Sequence, residues 1–337
     1  MNASTLQQPD QLHQQQPNPH PNYNRLIDAA RNAGAVTVAV AHPCDHNALE
    51  AALDAASMGL IEPILVGPRA RIAQAAEAAG LDISKLELID TPHSHASAAR
   101  AVALVREGRA AALMKGSLHT DELMGAVVAA DTGLRTARRL SHCFIMDVPG
   151  RSEPLIITDA AVNINPGLSE KVDIVQNAID LAHVLKFDPV KVAILAAVET
   201  VSAKMPSTID AAALCKMADR GQITGAILDG PLAMDNAIDP EAAAIKNLVS
   251  PVAGQANVLI APDLEAGNML AKSLTFMAGA GAAGIVLGAR VPIILTSRAD
   301  SVEARLASCA VAVLLAHSQA SSVAAAAAAA VVTAGGG

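Results

Sequence analysis

The stretch VLIAPDLEAGNMLAKSLTF (Val258–Phe276) shows the fold in miniature. Three apolar residues, Val258–Ile260, run into a polar turn at Pro262-Asp263, and the apolar positions of Leu264–Phe276 then recur with helical spacing. A short apolar run, a loop and a helix make one βα unit. The same pattern recurs along the chain. Strands are expected at Val36–Ala41, Pro63–Val66, Leu86–Ile89, Ala111–Met114, Phe144–Val148, Leu155–Thr158, Val192–Ala196, Gly225–Leu228, Val258–Ile260, Ile285–Leu287 and Ile293–Leu295. Helices are expected over Asn47–Met58, Arg69–Ala79, Ser94–Glu107, Thr120–Ala130, Ser169–Leu185, Ser207–Ala218, Pro240–Leu248, Leu264–Phe276 and Ser301–Ala316. This alternation predicts an α/β fold with mainly parallel sheets. Ten or eleven strands exceed one comfortable open sheet, so two α/β subdomains are expected.

Residues 1–22 are rich in Gln, Pro, Asn and His without apolar periodicity and are expected to be a disordered leader. Subdomain 1 is expected to take residues 23–150 plus 288–318, and subdomain 2 residues 151–287, with hinges near Asp147–Glu153 and Leu287–Arg290. Residues 319–337 read as a low-complexity Ala/Gly tail. Hydrophobic residues make up 52% of the chain but aromatics only 1%, so the core must be built from Ala, Val, Leu, Ile and Met. That composition argues against stacking recognition of single-stranded nucleic acid. Lys+Arg 24 against Asp+Glu 32 gives a net charge of −8, the wrong sign for binding phosphate backbones. Cys44, Cys143, Cys215 and Cys309 are far apart and show no ligand spacing, as expected for reduced thiols in a cytoplasmic protein. The sequence shows no signal-peptide pattern and no apolar run of about 18 residues. Neither a nucleic acid nor a membrane is therefore an expected partner, and no metal site is expected.

In open α/β sheets, ligands sit outside the carboxyl ends of the strands, which makes the loops that follow strands the place to look. Ser297-Arg298 lies between an apolar strand and a helix start, where backbone N–H groups and a guanidinium suit a phosphate. Asp300-Ser301-Val302-Glu303 reads either as a capping box with Asp300 as N-cap or as a source of a general base. Arg135, Arg138 and Arg139 crowd one segment and would repel one another unless an anion or carboxylates lie nearby. Lys115-Gly116-Ser117-Leu118-His119-Thr120 joins a lysine, a glycine and two hydroxyls at a helix start, without full P-loop spacing. Gly279, Gly281 and Gly284 match G-x-G-x-x-G, but a helix precedes them and a strand follows, the wrong context for a dinucleotide. They suit close approach of a ligand or of another backbone instead.

SPVAGQANVLIAPDLEAGNMLAKSL (Ser250–Leu274) and VPIILTSRADSVEARL (Val291–Leu306) strongly resemble the phosphate acetyltransferase and phosphate butyryltransferase family. KGSLHTDELM (Lys115–Met124) and RRLSHCFIMDVPG (Arg138–Gly150) fall where that family has its own strings, in the same order. The resemblance covers about Ala35 to His317. DGPLAMDNAID (Asp229–Asp239) looks more like the butyryltransferase branch and the C-terminal part of bifunctional enoyl-CoA hydratase/phosphate acetyltransferases, although with so short a leader no hydratase domain is expected. The resemblance implies two subdomains of the isocitrate/isopropylmalate dehydrogenase-like fold, an active site in the interdomain cleft and a homodimer. It also implies reversible transfer of a short acyl group, acetyl or butyryl, between coenzyme A and inorganic phosphate. Coenzyme A is then a substrate, and no cofactor or metal takes part. Carried over by position, Ser297 and Arg298 match the family's active-site pair, Arg139 the arginine ahead of the F-I-M strand, and Lys272 the lysine after P-D-L-x-x-G-N. Asn268, Ser117 and Thr120 are further candidates for substrate or phosphate binding. Acetyltransferase-type members have an aspartate, proposed as the base, six residues after the motif arginine. Here that position holds Ala304, which leaves Asp300 and Glu303 as the nearby carboxylates. The alternative activity is an acyl-CoA-sensing domain without catalysis.

Overall fold

The computed structural model describes residues 20–296 and 300–334. Its strands are β1 (Val36–Ala41), β2 (Ile61–Gly67), β3 (Glu87–Asp90), β4 (Ala112–Lys115), β5 (Ser141–Asp147), β6 (Leu155–Thr158), β7 (Lys191–Leu195), β8 (Ile227–Leu232), β9 (Val258–Ile260), β10 (Gly281–Leu287) and β11 (Ile293–Ile294). Its helices are α1 (Pro21–Ala33), α2 (His46–Ser57), α3 (Arg69–Ala79), α4 (Ser94–Arg106), α5 (Thr120–Val128), α6 (Leu168–Val184), α7 (Pro206–Asp219), α8 (Met234–Ile238), α9 (Pro240–Ile245), α10 (Leu264–Ala278) and α11 (Val302–Ala334). Every strand expected from the sequence is present, with ends shifted by a few residues. Helices α1 and α8 were not anticipated.

The strand count pointed to two sheets, but the described strands join into one, ordered β3-β2-β1-β4-β11-β10-β5-β6-β9-β7-β8. Two parallel blocks, β3-β2-β1-β4-β11 and β6-β9-β7-β8, are joined by the antiparallel pair β10 and β5. These two strands pair along their whole length, from Gly281 with Asp147 to Leu287 with Ser141, and so hold the halves in one ladder. Because β5 runs antiparallel to β6, the two blocks point in opposite directions. Leu113 of β4 is level with Ile293, Val286 and His142, while Thr158 and Ile260, which end β6 and β9, are level with Cys143. The carboxyl ends of both blocks therefore converge on the middle of the sheet at His142–Phe144. That convergence is the kind of switch point at which open α/β sheets bind ligands.

The core differs between the two faces of the sheet. On one face it runs unbroken from Val38 and Met114 through Cys143, Ile145 and Ile285 to Val192 and Val258. Helix α11 lies close on that side through Ala304, Ala307 and Ala310, and Gly284 N–H donates to Ser308 Oγ at 3.0 Å. On the other face it divides into two clusters. One gathers Leu113, Leu123, Val286 and Ile293, and the second Met146, Ile157, Leu259 and Ala271. The gap between them is a cleft over β5 and β10.

Helix α1 starts at Pro21, inside the stretch expected to be leader, and Asn22 is buried. Asp147 explains why. Its carboxylate accepts hydrogen bonds from Asn22 N–H at 2.9 Å, Asn22 Nδ2 at 2.6 Å and Tyr23 N–H at 3.2 Å, supplying the N-terminal acceptors that the local sequence lacks. Residues 1–19 of the expected leader lie outside the described residues. At the other end α11 continues to Ala334, well beyond the expected Ala316, as the helix propensity of alanine favours. Among the described residues no helix is long and apolar enough to cross a membrane, and no cluster of His, Cys, Asp or Glu could hold a metal ion.

Candidate active site

Two adjoining cavities occupy the cleft and share Thr120 and Ala161. The inner cavity, about 590 Å³, brings together Lys115, Thr120, Asn268, Lys272 and Asp300 over a floor of His142 and Phe144. The outer cavity, about 920 Å³, is lined by Arg135, Arg138 and Arg139 together with Asp121, Asn163, Glu170 and Asp173. Four of the site candidates, Thr120, Asn268, Lys272 and Asp300, thus line the inner cavity beside Lys115, and Arg139 lines the outer one. Ser297 and Arg298 lie outside the described residues, although Thr296 and Asp300 on either side both line the inner cavity.

Ser117 is not among the lining residues. Its hydroxyl donates to His42 C=O at 2.7 Å and accepts from Cys44 N–H at 2.8 Å, which ties the loop after β4 to the loop after β1. Gly116 lies so close to that loop that an added Cβ would stand 2.4 Å from Ala41 O. Thr120 follows, at the first turn of α5, where Glu122 accepts from His119 N–H at 2.9 Å and from Ser94 Oγ at 2.6 Å. Across the cleft, Asp263 caps α10 by accepting from Ala266 N–H at 2.8 Å. Gly267 then packs against the loop after β6, where a Cβ would meet Asp159 O at 2.4 Å, and Asn268 Nδ2 donates to Ala160 O at 3.0 Å. The glycine and asparagine of the P-D-L-x-x-G-N string therefore dock α10 and place Lys272 at the cavity.

Two of the three arginines have carboxylate partners. Arg138 pairs with Asp180 at 2.5 Å and Arg139 with Glu170 at 2.6 Å, while Asp173 accepts from the Arg139 backbone N–H at 2.9 Å. Arg139 Nε also donates to Asn163 Oδ1 at 2.7 Å. Asn163 is fixed in turn by buried Asp159, which accepts from Ala161, Val162 and Asn163 N–H and from Asn163 Nδ2. Sequence reading passed over Asp159 and Asn163. A signal was available, because they follow a correctly expected strand, Leu155–Thr158.

At the start of α11 the cap is Ser301 rather than the expected Asp300. Ser301 Oγ accepts from Ala304 N–H at 3.2 Å, and the helix begins at Val302, one residue later than expected. Ala304 lines the inner cavity, whereas Glu303 does not. The glycine triplet is also accounted for. Gly279 closes α10 at φ 66°, Gly281 leaves room for the Tyr23 ring, and Gly284 leaves room for the His142 ring.

His142 was not anticipated either, since a single histidine in an apolar strand carries no pattern. Burial lowers its pKa from the usual 6.5 to about 4, against the opposing pull of the Asp159 carboxylate, so the ring is neutral at pH 7. The neighbouring Cys143 points to the opposite face, where burial raises its thiol to about 12 and keeps it protonated.

Residues 93–313 match the family described as Phosphate acetyl/butaryl transferase. The chain is 66% identical to the phosphate acetyltransferase of Rhizobium meliloti over 295 residues, covering 87% of this chain and 93% of that protein. Identity with the phosphate butyryltransferase of Clostridium acetobutylicum is 40% over 294 residues, covering 87% and 98%. Of these two, the acetyltransferase is the more similar, although Asp229–Asp239 had suggested the butyryltransferase branch. The crystal structure of a branched-chain phosphotransacylase from Enterococcus faecalis V583 superposes with a TM-score of 0.74 at 30% identity, covering 84% of this chain and 99% of that one.

Proposed function

The chain belongs to the phosphate acetyltransferase and phosphate butyryltransferase family, and on that premise we propose a phosphate acyltransferase that converts acyl-CoA and phosphate reversibly into acyl phosphate and coenzyme A. The observation that carries this reading is the cleft at which the strand ends of both halves converge, because it gathers cations, hydroxyls and a carboxylate beside an apolar floor. Lys115, Lys272 and Arg139 suit phosphate groups, and Phe144, Ala271 and Ala282 suit a short acyl chain. The 66% identity with an acetyltransferase favours acetyl over butyryl.

In the synthesis of acyl-CoA, the coenzyme A sulfur attacks the acyl phosphate carbonyl carbon. The new C–S bond forms, the C–O bond to phosphorus breaks, and phosphate leaves with the electron pair. A thiol of pKa about 8.5 is only a few per cent ionised at neutral pH, so a positioned carboxylate or cation speeds the step. Asp300 is the carboxylate assigned to take the thiol proton. Arg298 and Arg139 hold the phosphate, and Ser297 donates to the carbonyl oxygen as charge develops there. Lys272, Asn268 and Thr120 complete the substrate contacts, Asn268 also holding α10 in place, while Ser117 acts by bracing the loop that carries Lys115 and Thr120. With both substrates bound together, positioning supplies much of the remaining acceleration.

The same reading takes residues 23–150 plus 288–318 and residues 151–287 as two lobes, the protein as a cytoplasmic homodimer, and the reaction as needing neither cofactor nor metal. Thiol release from a series of acyl-CoAs, acetyl to hexanoyl, with phosphate as acceptor tests it. Binding without turnover would identify a sensing domain instead.

A further inference from the structure

His142 lies on the cleft floor with 1% of its surface exposed, and its Nδ1 is buried without a hydrogen-bond partner among the described residues. Many other buried polar side chains of the fold have partners. Asp147 and Asn22 bond each other, His42 and Thr91 bond Ser97, and Asp159 holds Asn163. Thr158 donates to His142 C=O, Asn177 to Ser141, and Ser308 to Ala304 C=O. A buried imidazole with no partner costs about 1–3 kcal/mol. Where such a group also borders a substrate cavity, a ligand atom is the natural partner.

The ring is held in place. Phe144 packs against it at 4.5 Å between centroids and 74° between planes, and a Cβ on Gly284 would come within 3.0 Å of Nε2. Its surroundings in the cavity are Phe144, Ala271 and Ala282, while Lys115 and Lys272 line the same cavity. A dianionic phosphate group belongs with the cations. A neutral ring among apolar groups matches the uncharged end of the substrate, which has one polar atom beside a short hydrocarbon. With its pKa lowered to about 4, the ring is too weak a base to deprotonate a thiol, so its useful capacity is one N–H donor. We propose that His142 is a further catalytic residue, donating a ring N–H to the carbonyl oxygen of the acyl group and fixing that carbonyl against the Phe144 wall. This assignment rests on the phosphate acyltransferase reading given above.

The test uses acetyl-CoA labelled with ¹³C at the carbonyl, bound without phosphate and observed by difference infrared spectroscopy, together with kinetics in phosphate. The wild-type protein is expected to shift the bound thioester carbonyl stretch to lower frequency than in solution. His142→Phe is expected to lose much of that shift and about 10² in kcat, with acetyl-CoA affinity within about threefold. His142→Asn and His142→Gln place an amide donor near the positions of Nδ1 and Nε2, and one of them is expected to restore both the shift and part of the rate. An unshifted carbonyl in the active wild type would overturn the proposal, and that reading does not depend on any variant folding. So would His142→Phe with unchanged kcat, or with reduced kcat but an unchanged spectrum. Failure of the wild type to turn over any acyl-CoA would instead overturn the acyltransferase reading.

Discussion

Lowering the pH from about 7.5 to about 5 is expected to weaken the native protein, relative to a His142→Gln variant, by about 2 kcal/mol. In the folded protein His142 titrates near 4 because burial disfavours the imidazolium, whereas an unfolded histidine titrates near 6.5. Between those values the unfolded chain binds more protons than the native one, so stability falls as the pH falls. The contribution is fully present above pH 6.5 and fully lost below pH 4. At about 1.4 kcal/mol per pH unit the whole span amounts to about 3 kcal/mol, of which about 2 is lost by about pH 5. Other titrating groups are common to both proteins and largely cancel in the difference. Urea denaturation of the two proteins at several pH values measures it. The gap should move steadily in favour of the glutamine variant as the pH drops. A gap constant to within about 0.5 kcal/mol would refute the claim that the cleft floor excludes water from this ring.

Gly267→Ala places a Cβ 2.4 Å from Asp159 O and should push α10 off the loop after β6, costing about 1–3 kcal/mol by thermal melting and lowering kcat/KM by displacing Lys272. Because Ser301 caps α11, Ser301→Ala should cost about 1 kcal/mol of stability, while Asp300→Asn should lower kcat and remove the acidic limb of its pH profile. An unchanged profile would leave activation of the thiol by the cations as the surviving mechanism. Arg298→Lys keeps the charge but loses the planar fork, and kcat/KM should fall about tenfold or more, equivalent to about 1.4 kcal/mol.

The strands were legible because Val, Ile and Leu runs end abruptly at polar loops, and the rule that ligands bind beyond strand ends led to Lys115, Thr120, Asn268 and Asp300. What the residue order did not show was how the strands pair. The first half of β10, Gly281-Ala282-Ala283-Gly284, has little strand character, so its long ladder with β5 and the single sheet it creates were hidden. Helix α1 was missed because of the composition ahead of it, although Tyr23, Leu26, Ile27 and Ala30 form a buried stripe at helical spacing. Asp147, the residue that caps it, lies 125 positions from Asn22, beyond any local capping rule. His142 depends on the same long-range pairing. Its place on the cleft floor follows from the gap between two half-cores, which only the assembled sheet creates.

The most direct test of the central claim is phosphate-dependent release of coenzyme A from acetyl-CoA by the purified, chelator-treated protein, with acetyl phosphate trapped as its hydroxamate. The account predicts equal amounts of thiol and hydroxamate, a rate that saturates in both substrates, and reversal when acetyl phosphate and coenzyme A are supplied. Tight binding of acetyl-CoA with no phosphate-dependent thiol release, from the acetyl or any other short acyl-CoA, would contradict it.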